Sequence, residues 1–238
     1  MELIEKNENQ IVFCAKITDS LANAIRRYIN QIPVLAVDEV EIYRNDSPLY
    51  DETIAHRIGL IPLKMDKAVN EKTEMEMKLD VKRPGMVYSG DFKGALGVVY
   101  ERIPITSLGE DNELQVVAVA KTGKGSEHSK FSPGLFYYRD VVEIKMDSEL
   151  YDKIKSAISH NEVKKEGKNI IVIDNKKKEV ADICEEICRE EGKKAEMIPK
   201  DELVITIESF GQINVSEIFK RSIAALTKDL ELVSKTLK

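Results

Sequence analysis

An α+β fold is predicted for this 238-residue chain. Strand-like alternation broken by turn-forming clusters fills the middle of the sequence. A heavily charged stretch after about residue 147 interleaves helix and strand periods, and amphipathic helices stand near both ends. At this length one large domain or two to three small ones are expected.

The chain opens on alternation around a polar turn, "ELIE", "KNENQ" and "IVFCAKI", with Ile11, Phe13, Ala15 and Ile17 on one face, which predicts a hairpin. In "TDSLANAIRRYINQIP" Thr18, Asp19 and Ser20 can cap a helix whose apolar positions are Leu21, Ile25, Tyr28 and Ile29, and Pro33 ends it. "VDEVEIY" predicts a strand with Val40 and Ile42 opposite Glu39 and Glu41, and "RNDSP" a turn. "YDETIAHRIGLIPL" predicts a short helix with Asp51 as its N-cap, Ile54 and Ile58 on one face, Gly59 as a left-handed cap and Pro62 as a stop.

Strand-like runs "EMEMKLDV", "LQVVAVAK" and "YYRDVVEIKM" follow, separated by "KRPGMVYSGDFKGALG" and "KTGKGSEHSKFSPG", so residues 43–146 read as mainly β with long loops. About half of residues 147–202 are charged, in the order helix ("SELYDKIKSAI"), strand ("NIIVID"), helix ("EVADICEEICREEG"), strand ("KAEMI"). That order predicts a small α/β insert. "LVITIESFG" then predicts a strand, and Asn214 with Glu217 a capping box for the final helix. Along that helix Phe219, Ile223, Leu226, Leu230, Val233 and Leu237 recur at steps of four and three, the heptad signature of a seam between helices.

Composition narrows function. With 42% hydrophobic residues the chain can bury a core, and its net charge of -6 argues against holding nucleic acid mainly by its own field. No apolar run approaches the roughly 20 residues that span a bilayer, and Glu2, Glu5 and Lys6 do not fit a secretory signal, so a cytoplasmic location is expected. Cys14, Cys184 and Cys188 are too few and scattered for a disulfide framework.

Candidate chemistry is sparse. His56 has only Glu52 as a ligand-type neighbour one helical turn away, too little for a metal site, so a structural or docking role is expected. Cys184 and Cys188 share a helix face with Val180, Ile183 and Ile187 and read as core residues, since an iron–sulfur cluster usually takes four cysteines. A redox or metal sensor built on these two thiols is the competing reading. "KTGKGSEHSK" lacks phosphate-loop spacing, and its glycines are expected to supply positive φ; "NKKKE" at 175–179 reads as a solvated turn. No Ser/His/Asp, Cys/His or zinc-binding H-E-x-x-H spacing appears. The chain reads as a scaffold without chemistry of its own.

Two stretches, "NAIRRYINQIPVLAVDEVEIYRNDSPLYDETIAHRIGLIPL" (23–63) and "AVAKTGKGSEHSKFSPG" (118–134), together with the closing "IESFGQINVSEIFKRSIAALTKDL", carry a resemblance covering most of the chain. It resembles the alpha-like subunits of DNA-directed RNA polymerases, most nearly those of the archaeal branch. The resemblance implies a discontinuous dimerisation domain (1–42 and 203–238), an inserted mainly-β domain (43–146) and a ferredoxin-like insert (147–202) whose iron–sulfur cluster is lost, because Cys184 and Cys188 do not make the ligand set. No cofactor is expected.

The resemblance further implies a non-catalytic assembly subunit. It would pair with a smaller alpha-like partner, subunit L, and present a platform to the two large catalytic subunits and the small assembly subunits, with no direct DNA binding and no membrane. Leu21, Ile25, Tyr28, Ile29, Phe219, Ile223, Leu226 and Leu230 would face subunit L. Arg26, Arg27, Asp51, Glu52, His56, Arg57, Glu127, His128 and Lys130 would dock large subunits, with Ile58, Leu60 and Ile61 anchoring the short helix.

Overall fold

The computed structural model describes residues 1–65, 73–94, 97–158 and 161–237. In chain order its elements are β1 (Glu2–Lys6), β2 (Gln10–Ala15), α1 (Asp19–Ile29), β3 (Pro33–Asn45), α2 (Asp51–Gly59), β4 (Glu74–Val81), β5 (Gly85–Tyr88), β6 (Lys93–Gly94), β7 (Pro104–Leu108) and β8 (Leu114–Lys124). Then come β9 (Gly134–Asp147), α3 (Tyr151–Ala157), β10 (Val163–Glu166), β11 (Asn169–Asp174), α4 (Ala181–Glu190), β12 (Glu196–Ser209) and α5 (Val215–Thr236). Part of the "KRPGMVYSGDFKGALG" stretch, residues 95–96, lies outside the described residues. By internal contacts the chain divides into two compact units, Met1–Ala24 with Phe136–Glu208 and Ile25–Leu135 with Ser209–Lys238.

The first unit is built on a sheet of order β1-β2-β12-β9-β11-β10. The predicted hairpin forms, its turn closed by Asn7, whose Oδ1 accepts from the N–H groups of Asn9 and Gln10. The expected one-sided burial gives way to two: Val12 and Cys14 are as buried as Phe13 and Ala15, so both faces of β2 are covered. Strands expected over "KAEMI" and "LVITIESFG" are one continuous strand, β12. Its polar stretch Pro199–Glu202 stays exposed while Leu203–Glu208 pair antiparallel with β2. The hairpin partner β10 had no signal beyond "VKKE"; Gly167, at φ 62°, supplies the left-handed turn that joins it to β11.

On this sheet α3 and α4 bury Ile154, Val180, Cys184 and Cys188 against Ile144, Met146, Ile170 and Val172. The core expected from Val180, Ile183 and Ile187 is thus centred on Val180 and the two cysteines, with Ile183 and Ile187 at its margin. A fully buried carboxylate organises this layer. Asp174 receives Arg139 Nη2 on Oδ1 at 2.8 Å, while its Oδ2 accepts from the N–H groups of Val180 and Ala181 at 3.0 and 3.2 Å. It therefore caps the start of α4 from a distant strand. Arg139 also donates to the carbonyls of Asp174 and Lys176.

The second unit carries a sheet of order β3-β8-β4-β6 and the antiparallel ribbon β5-β7. β3 begins at Pro33, earlier than predicted, because proline is tolerated as the first residue of a strand; α1 has already ended at Ile29. Two register shifts, at Val37/Glu39 and Ile42/Arg44, let its buried first half give way to an alternating, half-exposed second half. Helix α2 drives Ile54 and Ile58 into a core with Leu35, Leu79, Leu114 and Val116, each fully buried aliphatic side chain contributing roughly 1.5–3 kcal/mol. The helix is bounded differently from the expectation: Tyr50 is the N-cap residue, Asp51 lies in the first turn, and Gly59 remains helical with Leu60 closing the helix at φ -94°. Asp51 is instead held by Asn45 Nδ2 at 2.7 Å. No helix among the described residues is long and apolar enough to cross a membrane.

Removing the Asp174 carboxylate strands Arg139 and two helix N–H groups at once. Asp174→Ala is expected to lower stability by roughly 3–5 kcal/mol in urea unfolding; a loss below about 1 kcal/mol would show that α4 does not depend on this cap.

Candidate functional site

Two surfaces of the second unit gather the residues singled out in the sequence. The first lies on α5. Asn214 caps it by accepting the Ser216 N–H at 3.0 Å; the expected capping box stays open, since Glu217 turns to Lys220. Val215, Ile218 and Ser222 face inward and are buried. The heptad stripe is rotated away from that side: Phe219 and Leu226 are half-buried, Ile223 is exposed, and Leu230 and Val233 are 60% and 56% exposed. An apolar ridge therefore runs along the outer part of a 22-residue helix.

On α1, Thr18 Oγ1 accepts the Leu21 N–H, the predicted cap. Ile25 and Ile29, expected on the partner-facing ridge, are covered by the chain itself; Leu21 is exposed and Tyr28 half-exposed. Tyr28 donates to Asp229 Oδ2 at 3.0 Å, which ties α1 to α5, and this bond pushes the phenol up from its ordinary value. Arg26 and Arg27 are exposed on the outer side of α1.

The second surface joins motifs far apart in sequence. Leu60 and Pro62 after α2, Tyr100, Ser129 and Lys130 of the loop after β8, and Phe210 with Gln212 before α5 line one cavity of about 370 Å³. Leu60 is 50% exposed, Tyr100 42% and Phe210 37%. The buried Gln212 Oε1 has no hydrogen-bond partner among the described residues. A buried acceptor of this kind is uncommon and favours the arrival of a donor.

Most of the polar motif residues hold this surface in place. Glu127 accepts the Lys124 N–H, His128 Nδ1 accepts the Lys130 N–H, and Lys130 Nζ donates to Asp38 at 2.7 Å while lying over the Phe131 ring. The Lys130 hydrogen bond holds the Asp38 carboxyl below its ordinary value. Arg57 donates to the Ile105 carbonyl at 2.8 Å. His56 and Glu52 stand exposed on α2, whose acidic first turn and basic last turn suit the helix dipole.

The loop glycines act differently from the expectation. Gly123 and Gly125 do not have positive φ; a Cβ on them would lie 2.6 Å from the Phe131 ring and 2.5 Å from Asn30 Oδ1. They allow close approach. At Gly211 both reasons apply, with φ 93° and a would-be Cβ 2.5 Å from Val99 Cγ1. Leu60, placed by the sequence as an anchor, is a surface residue, while Ile58 and Ile61 do anchor α2. Tyr100 and Phe210 went unrecognised, because sequence pattern carries no signal for an aromatic left at the surface by distant segments.

Residues 40–134, which supply most of this surface, match the RNA polymerase Rpb3/RpoA insert domain. Along nearly the whole chain there is similarity to curated relatives. DNA-directed RNA polymerase subunit Rpo3 of Pyrococcus horikoshii is 33% identical over 96% of this chain and 93% of the relative. The Pyrococcus furiosus and Thermococcus kodakarensis proteins of the same name are 34% and 32% identical over 96% and 95% of this chain, and over 93% of each relative. The chain belongs to the Rpo3 family.

As an Rpo3-family chain it is a subunit of DNA-directed RNA polymerase, a nucleotidyltransferase complex whose catalytic site lies on other subunits. The cysteines of this Rpo3-family member are placed for packing. Cys14, Cys184 and Cys188 are all free and buried, and burial, followed by the neighbouring Cys188 and Asp174, pushes the Cys184 thiol up to about 12. A thiol so protonated is a poor nucleophile. Among the described residues no group of three His, Cys, Asp or Glu is placed to hold a metal ion.

Gly211→Ala is expected to cost roughly 1–3 kcal/mol, read from urea unfolding, since the added methyl meets Val99 at a φ that L-residues rarely adopt. With a thiol reagent such as Ellman's, the native chain is expected to react slowly at all 3 cysteines and rapidly once denatured; fast native reaction at Cys184 or Cys188 would favour the redox reading.

Proposed function

We propose that this chain is a non-catalytic assembly subunit that pairs with a smaller alpha-like subunit, subunit L, and offers the pair as a platform for the large catalytic subunits. The observation that carries the reading is the heptad ridge of α5, which stays exposed on the folded chain at Ile223, Leu230 and Val233. An apolar stripe at this spacing is covered in water by another helix. Leu21, Tyr28, Phe219 and Leu226 flank the same contact, and Ile25 and Ile29 support it from beneath.

In this reading residues 1–42 and 203–238 form the dimerisation domain, 43–146 the inserted domain, and 147–202 a ferredoxin-like insert held by an apolar core in place of a cluster. Cys184 and Cys188, both within that core, support the last point. The cavity bounded by Leu60, Tyr100 and Phe210, with Arg26, Arg27, Asp51, Glu52, His56 and Arg57 on the helices of the same unit, serves the large subunits, and small assembly subunits complete the complex. The acidic net charge of -6 accords with a subunit that leaves DNA contact to others, in the cytoplasm.

Leu226→Glu tests the pairing. Co-expressed with subunit L, this variant is expected to lose about a hundredfold or more in heterodimer affinity, because a carboxylate would be desolvated in an apolar seam. Size-exclusion chromatography with light scattering reads the loss, and circular dichroism confirms the fold. Full-stoichiometry co-purification of the variant would remove α5 from the interface.

A further inference from the structure

A second cavity lies within the first unit. It measures about 440 Å³ and is walled by Ile4 of β1, Ile158 after α3, and Val180 and Ile183 at the start of α4. Its volume falls in the range of ordinary ligand pockets, roughly 300–1,000 Å³. Its polar side is supplied mainly by the basic run "NKKKE", since Lys176, Lys177 and Lys178 all line it, together with Glu5 and Asn161. Lys177 is paired with Glu5 at 3.1 Å. Lys176 and Lys178 make no ion pair among the described residues, so two lysines free to meet a carboxylate share a lining with branched aliphatic side chains.

The loop that carries these lysines is held from behind. Arg139 donates to the Lys176 carbonyl, Cys14 Sγ to the Asn175 carbonyl, and Asp174 is locked into the Arg139 clamp. The backbone from which the lysines project is thus set before anything binds, which lowers part of the ordering cost of association.

We propose that this cavity docks an acidic amphipathic helical segment of another protein. Apolar side chains at i and i+3 or i+4 would enter between Ile158, Val180 and Ile183, and carboxylates on adjoining turns would meet Lys176 and Lys178. Two cations favour such a segment over a fatty acid, whose single carboxylate leaves one ammonium unmatched. The proposal is independent of the pairing with subunit L, because it involves neither α1 nor α5.

The full-length chain is titrated with a fluorescein-labelled peptide carrying leucines at helical spacing and glutamates between them, followed by anisotropy. A second peptide replaces every glutamate by glutamine, and dodecanoate is added as competitor. Saturable binding of the acidic peptide is expected, weakened by salt, with affinity reduced about tenfold in the K176E/K178E variant and in the glutamine peptide. Ile183→Glu, at a half-exposed position, is expected to weaken binding while circular dichroism stays unchanged. The proposal is overturned if the acidic peptide does not bind, if charge reversal leaves its affinity unchanged, or if dodecanoate binds in a lysine-dependent way and the peptide does not.

Discussion

The pairing of β2 with β12 constrains everything else in the chain. Ala15 stands opposite Leu203 and Gln10 opposite Glu208, so a strand from the first 15 residues is hydrogen-bonded to one near the end. All that lies between must leave the pair and return to it. Closing so long a loop costs entropy that grows only slowly with its length, which is why large segments can be carried inside it. Both faces of β2 are buried, so a one-residue slip would move its apolar side chains out of register with both cores.

Within that frame, polar groups are used to fix segments rather than to react. Asp174 and Arg139 hold the start of α4 and the following lysine loop; Glu127, His128 and Lys130 close the loop after β8. Beside its charged residues, the second unit leaves a set of apolar and aromatic side chains at the surface: Leu60, Tyr100 and Phe210 around one cavity, and Ile223, Leu230 and Val233 along α5. Such surfaces suit recognition, since anchors of this kind dominate interface energetics when desolvated. Membership of the Rpo3 family agrees with a molecule whose polar constellations are structural.

Elements with strong local periodicity are legible in the amino-acid order. The β1–β2 hairpin, α1, α2, α4 and α5 stand where apolar spacing puts them, and the α5 stripe can be named residue by residue. Boundaries that depend on distant hydrogen bonds are less so. β12 continues through the exposed Pro199–Glu202, beyond the end of its ladder with β2, and β3 starts at Pro33 because β8 lies beside it. The same limit applies to sites. His128 and Lys130 are visible as a motif, yet their partners, the Lys130 N–H and Asp38 of β3, are brought to them only by folding.

From the sequence by itself came the apolar residues, their periods, the scarcity of reactive constellations and the motifs that mark the family. Those properties depend on spacing along the chain, where each side chain's direction follows from its own helix or strand. Only the tertiary structure decided which apolar residues stay uncovered: Ile25 and Ile29 are buried while Leu60, Tyr100, Phe210 and Leu230 are not. Burial depends on segments that arrive from elsewhere in the chain, and no local pattern encodes their arrival.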